Sequence, residues 1–155
     1  MCNLGYCYLT GIGTEPSPEQ AVHWLRRAAE QDFPRAQLLL GRCCQNGNGL
    51  PRDDEAGARW FQAAAGLGYP PAMCDLGLCY ETGAGMPQDP AVAAEWYTRA
   101  ARQGYAPAQC NLAVCYLNGI GVETDPGQAV EWLEKAAGQD FARALDILGD
   151  RCKYG

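Results

Sequence analysis

One spacing constrains this chain more than any other feature: Leu4, Leu40, Leu76, Leu112 and Leu148 recur every 36 residues, with no insertion or deletion between them. Other columns keep the same step. Gly11 and Gly13 return as Gly47 and Gly49, Gly83 and Gly85, and Gly119 and Gly121. Trp24, Trp60, Trp96 and Trp132 form another column, and Ala28-Ala29, Ala64-Ala65, Ala100-Ala101 and Ala136-Ala137 close each unit. A unit this short cannot bury a core of its own, so successive copies must stack and share one. That requirement selects an elongated array over a closed globule.

Each unit reads as two helices. In the first, Ala72, Leu76, Cys79 and Tyr80 lie at spacings of four, three and one, an apolar stripe at helical period, which predicts a helix over 72–82. It stops at Gly83-Ala84-Gly85, where residues free to take positive φ suit a helix C-cap and a tight connection. The second helix is predicted to start at Ser17-Pro18, Asp53-Asp54, Asp89-Pro90 or Asp125-Pro126. There an oxygen-bearing cap usually precedes a proline, which has no amide proton to waste in the first turn. The second helices end at Asp32, Gly68, Gly104 and Asp140, each followed by an aromatic: Phe33, Tyr69, Tyr105 and Phe141. Glycine and the alanine pairs permit close helix approach, while tryptophan and tyrosine fill the wider gaps.

Composition narrows the function. The net charge of −6 is spread along the chain, so nucleic acid is an unfavourable partner. No run of 18 or more apolar residues occurs, and Met1-Cys2-Asn3-Leu4 leads into patterned sequence without a basic or apolar leader. Nine cysteines, an odd number, argue against a fully paired disulfide framework and for a reducing compartment; a cytoplasmic location is the expectation. The single histidine, His23, shares an exposed polar column with Arg59, Glu95 and Glu131. No phosphate-cradling loop, nucleophile elbow or histidine-containing zinc spacing is present. No catalytic residue, metal site or cofactor is assigned, and the chain is not expected to be an enzyme.

The joint pattern A-x-x-x-L-G-x-x-Y-x-x-G-x-G, then D-x-x-x-A-x-x-W-Y-x-x-A-A-x-x-G, stands here as Ala72, Leu76, Gly77, Tyr80, Gly83, Gly85, Asp89, Ala93, Trp96, Tyr97, Ala100, Ala101 and Gly104. It resembles the Sel1-like repeat, a relative of the tetratricopeptide repeat. The resemblance covers the whole chain and implies an all-α, right-handed α-solenoid of helix-turn-helix units. The units are 1–35, 36–71, 72–107 and 108–143, with a terminal half-unit 144–155, forming one repeat domain. Departures are local: Cys44 and Cys152 stand where tyrosine is expected, Gly57 for alanine and Ala113 for glycine, which makes unit two the expected loosest. The polar Asp146, Asp150, Arg151 and Lys153 suggest a C-terminal cap, with the N-terminal cap missing or unusual. Some secreted relatives carry unit-by-unit disulfides; alanine occupies the first partner position here, as at Ala65 and Ala101.

Columns that vary while their neighbours stay fixed are the ones the fold leaves open. In the first helices these are Cys2, Leu38, Cys74, Cys110 and Asp146; then Tyr6, Arg42, Leu78, Val114 and Asp150; then Leu9, Gln45, Glu81, Leu117 and Lys153. Within a unit they lie at i, i+4 and i+7 and share one stripe. The likeness to tetratricopeptide proteins implies that this stripe lines a concave groove. Stacked helices about 10 Å apart would make it about 40 Å long, room for an extended peptide of about 12 residues. The reading is a monomeric scaffold or adaptor holding a protein or peptide segment. Two alternatives stand beside it: a thiol- or metal-dependent enzyme using the groove cysteines Cys2, Cys74 and Cys110, and a structural spacer of a longer array. Asn46, Asn118, Thr10 and Thr82 are candidates for bonding a peptide backbone or for capping a helix end.

Overall fold

A computed structural model describes the backbone of residues 1–154 and the side chains of residues 1–149. Among these residues every regular element is a helix: α1 (Cys2–Thr10), α2 (Pro18–Ala29), α3 (Pro34–Asn46), α4 (Asp54–Gly66), α5 (Pro70–Thr82), α6 (Pro90–Arg102), α7 (Ala106–Asn118), α8 (Pro126–Ala137) and α9 (Ala142–Tyr154). Each helix packs on the next, forming an α-solenoid of hairpins.

The local signals explain the boundaries. Ser17, Asp53, Asp89 and Asp125 each accept a hydrogen bond from a backbone amide in the first turn of an even-numbered helix, satisfying donors that lack an intrahelical partner. The odd-numbered helices α1, α3, α5 and α7 end at Gly11, Gly47, Gly83 and Gly119, all left-handed. The amide of each even-helix cap then reaches back across the hairpin. Ser17 donates to the Tyr8 carbonyl at 2.9 Å, Asp53 to Cys44 at 2.9 Å, Asp89 to Tyr80 at 2.8 Å and Asp125 to Tyr116 at 3.0 Å. Because this clasp uses backbone, cysteine replaces tyrosine at position 44 without breaking it. The odd-numbered helix α5 starts at Pro70, two residues before the predicted start, since proline is accommodated in a first turn.

The core runs along the hairpin interiors. Leu40, Leu76 and Leu112 face Leu25, Phe61, Tyr97 and Leu133, all essentially inaccessible, with the alanine pairs between them. At Gly57 of unit two the helix is closely packed rather than loose. A methyl on Gly57 would lie 2.6 Å from Gln45 Cγ and 3.0 Å from the Gly41 carbonyl, so the Gln45 chain and the neighbouring backbone already fill the space. Cys152 lies outside the described side chains.

The glycine of each turn that follows the cap does different work. A Cβ on Gly49, Gly85 or Gly121 would fall 2.2, 2.1 or 2.0 Å from the carbonyl oxygen of Pro18, Asp54 or Pro90, at the start of the preceding unit's even helix. These are points of backbone-to-backbone contact between units. Gly13 has the same left-handed φ and nothing within 4 Å.

Candidate binding groove

Helix α1 touches α3, α3 touches α5 and α5 touches α7, so the odd helices form the tighter, inner row of the solenoid. The middle column of the predicted stripe opens on this row. Arg42 and Leu78 are exposed, Tyr6 and Val114 half-buried. Leu78, 50% exposed, is the large apolar side chain most open to solvent on this face. Asp150 lies outside the described side chains.

The first column is a correction. Cys2, Leu38, Cys74 and Cys110 are buried, because successive odd helices pack through this position; Asn111 of α7, for instance, donates to Cys74 Sγ at 3.5 Å. They are core, not groove lining, and only Asp146 of that column is exposed. In the third column Leu9, Gln45, Glu81 and Leu117 are half-buried and partly spoken for, and Lys153 lies outside the described side chains. Gln45 donates to Cys79 Sγ at 3.2 Å, Glu81 accepts the Tyr97 hydroxyl at 2.6 Å, and Leu9 and Leu117 lean on the core. Thr10 and Thr82 donate back to the Tyr6 and Leu78 carbonyls within their own helices, which occupies their hydroxyl protons.

Four residues outside the stripe complete the surface. Arg35 lies over the Tyr6 ring at 5.0 Å. Arg42 grips Asp75 of the next unit with two hydrogen bonds, 2.7 and 3.3 Å, and Arg143 donates to Asn111 at 3.0 Å. Polar bridges therefore link successive odd-numbered helices beside the apolar side chains of this face. The column holding Asn3, Leu39, Asp75, Asn111 and Ile147 varies as much as those chosen, so the same comparison within the chain could have found it.

Between α5, α7 and α9 the surface dips into a cavity of about 160 Å³, lined by Leu78, Glu81, Asn111, Val114 and Arg143. A site of about 150 Å³ holds a molecule the size of benzene, and a drug-sized ligand needs about 300 Å³ or more. The cavity is therefore about the size of a single side chain. Its lining combines the aliphatic Leu78 and Val114 with the Arg143 guanidinium and the Glu81 carboxylate.

The cysteines are poorly placed for nucleophilic chemistry. Burial pushes the Cys74 thiol up to about 12, with Asp75 adding to it, and burial raises Cys2 and Cys110 as well. A thiolate nucleophile needs the opposite shift. Among the described residues no group of three potential ligands could hold a metal ion. His23 is exposed and stacks edge-on against Trp24 at 5.3 Å.

The Sel1 repeat family model matches residues 1–33, 34–69, 70–105 and 106–141. The chain belongs to the Sel1 repeat family. Its fold is similar to that of a Sel1 repeat protein from Oxalobacter formigenes, with 33% identity and a TM-score of 0.90 over 95% of this chain and 59% of that one. It is also similar to c5321, a protective antigen of uropathogenic Escherichia coli displaying an SLR fold. That match has 38% identity and a TM-score of 0.88, covering 96% of this chain and 32% of the other. Cysteine rich protein B of Helicobacter pylori shares the fold at 23% identity, with a TM-score of 0.68 over 85% of this chain and 95% of that one. The chain thus spans 59% and 32% of the length of the first two relatives, less than two thirds of either. Among curated proteins none matches. Sel1 repeat proteins are generally protein-interaction scaffolds and typically not enzymes.

Proposed function

We propose that this Sel1 repeat chain is an adaptor whose inner row of helices holds a segment of a partner protein. A partner side chain of aliphatic or aromatic type seats between Leu78 and Val114, while the polar groups of Arg143, Asn111 and Glu81 meet its backbone or neighbouring charges. The single observation that carries this reading is the half-exposed Leu78 at the lip of a side-chain-sized cavity, in the middle of a face otherwise stitched by polar bridges. An exposed leucine is informative here because it borders a concave site, where interfaces concentrate their energy in such apolar anchors.

The test is a crosslinking pull-down from the source cell, run beside a Leu78→Glu, Val114→Lys variant whose circular dichroism matches the parent. Partners lost by the folded variant support the groove; partners retained equally by both move the site elsewhere. A second reading is favoured by the greater length of the first two matched structures: the four units are one stretch of a longer scaffold. In either case the free thiols fit a reducing compartment, the cytoplasm in our reading.

A further inference from the structure

The outward faces of the even helices repeat one design, and α4 breaks it. In α2, α6 and α8 a tryptophan is covered by a cation one turn later. Arg27 lies over Trp24 at 5.3 Å, Arg99 over Trp96 at 4.6 Å and Lys135 over Trp132 at 4.2 Å. A glutamine follows one turn beyond: Gln31, Gln103 or Gln139. In α4 the cation is Ala63 and the glutamine is Leu67, both exposed. Ala56, Trp60, Ala63 and Leu67 therefore form an uninterrupted apolar stripe on the outside of the solenoid, with a shallow hollow beside Trp60.

Leu67 comes at a cost to the fold. In unit four Gln139 donates to Oε1 of the buried Gln109 at 3.0 Å, and in unit three Gln103 reaches Met73 in the same way. The equivalent donor for the buried Gln37 would come from position 67, where leucine has none. Gln37 Oε1 is buried without a hydrogen-bond partner, although its amide donates to Ala29 just as that of Gln109 donates to Ala101. Stability of the monomer does not account for leucine there.

We infer that the outer stripe of α4 pairs two copies of this chain, α4 against α4 in antiparallel orientation about a two-fold axis. The spacing of four, three and four is that of a coiled-coil seam. A two-fold axis between Phe61 and Gln62 sets Trp60 against the second copy's Ala63, and Leu67 against its Ala56. Each large side chain then meets a small one, so the stripe is complementary to itself, as a symmetric interface must be. Charge points the same way. The equivalent pairing through α2, α6 or α8 would place the Arg27, Arg99 or Lys135 cations of both copies in neighbouring layers of one seam. In α4 the bordering Arg59 is neutralised by Glu55 at 3.2 Å within the helix. One helix pair buries little area, so the dimer is weak and concentration-dependent.

The test is sedimentation velocity on the whole chain from about 10 µM to about 1 mM, beside Ala63→Arg and Leu67→Gln variants. The first restores the cation of the other units at an exposed site; the second restores the donor for Gln37. The expected result is reversible dimerisation of the parent, weakened about tenfold or more in each variant, with Leu67→Gln melting higher than the parent at low concentration. A parent that stays monomeric throughout overturns the proposal. So does dimerisation that both variants retain. Monomeric parent whose cellular partners are lost on Ala63→Arg assigns the stripe to a foreign helix instead and equally refutes the pairing.

Discussion

Replacing Gly85 by alanine should cost far more than replacing Gly13, although the two share a φ of 75° and occupy the same column. The left-handed strain of a Cβ is common to both and amounts to about 1 kcal/mol. What differs is the neighbour. At Gly13 the new methyl meets nothing within 4 Å; at Gly85 it would sit 2.1 Å from the Asp54 carbonyl oxygen, which requires roughly an ångström of backbone movement between units two and three. Overpacking of that kind adds about 1–3 kcal/mol. The expected totals are about 1 kcal/mol for Gly13→Ala and about 3 kcal/mol for Gly85→Ala. For a chain of this size they correspond to melting shifts of about 3 °C and about 9 °C. Because neighbouring units cooperate through their interfaces, Gly85→Ala should also broaden urea unfolding and lower its slope, as the two halves begin to melt separately. Calorimetry and urea titration of both variants measure this. Equal shifts would show that the second glycine of each turn is needed only for its backbone angle, and that the contact between units lies elsewhere.

Three further outcomes follow from the structure. Asp89→Ala removes the acceptor for two first-turn amides of α6 and should destabilise by about 1 kcal/mol, read by chemical denaturation. Burial raises Cys43 to about 11 and Cys74 and Cys115 to about 12, above their usual value of 9.0. The unfolded chain therefore loses these protons first, and stability present below pH 9 is lost as pH rises through 9 to 12; melting temperatures that do not fall across that range would contradict the burial. Arg42→Ala removes an ion pair whose arginine is 45% exposed, so global stability should change by less than about 1 kcal/mol while groove binding changes measurably.

The architecture was legible because its signals are local and repeated. Ser17, Asp53, Asp89 and Asp125 cap the helices they were predicted to cap, and Gly83 ends α5 in the expected left-handed turn. The candidate groove was legible only in part. Cys2, Leu38, Cys74 and Cys110 vary in identity, but all four are apolar, and variation among apolar residues marks a tolerant core as readily as a surface. The bridges Arg42–Asp75 and Asn111–Arg143 span 33 and 32 residues and join one odd-numbered helix to the next, so reading one helix at a time passes over them. Gly57 misled for a related reason. Helix propensity marks it as a weak point, whereas the packing of Gln45 over it is tertiary.

The most direct test of the groove is a display selection of random peptides against the folded chain, with enriched sequences re-measured by isothermal titration on the parent and on Leu78→Glu. Enriched peptides should share an aliphatic or aromatic anchor and lose about tenfold or more in affinity to the variant, as loss of a buried anchor contact implies. Enriched peptides that bind parent and variant equally would place the partner site away from Leu78 and contradict a groove centred on it.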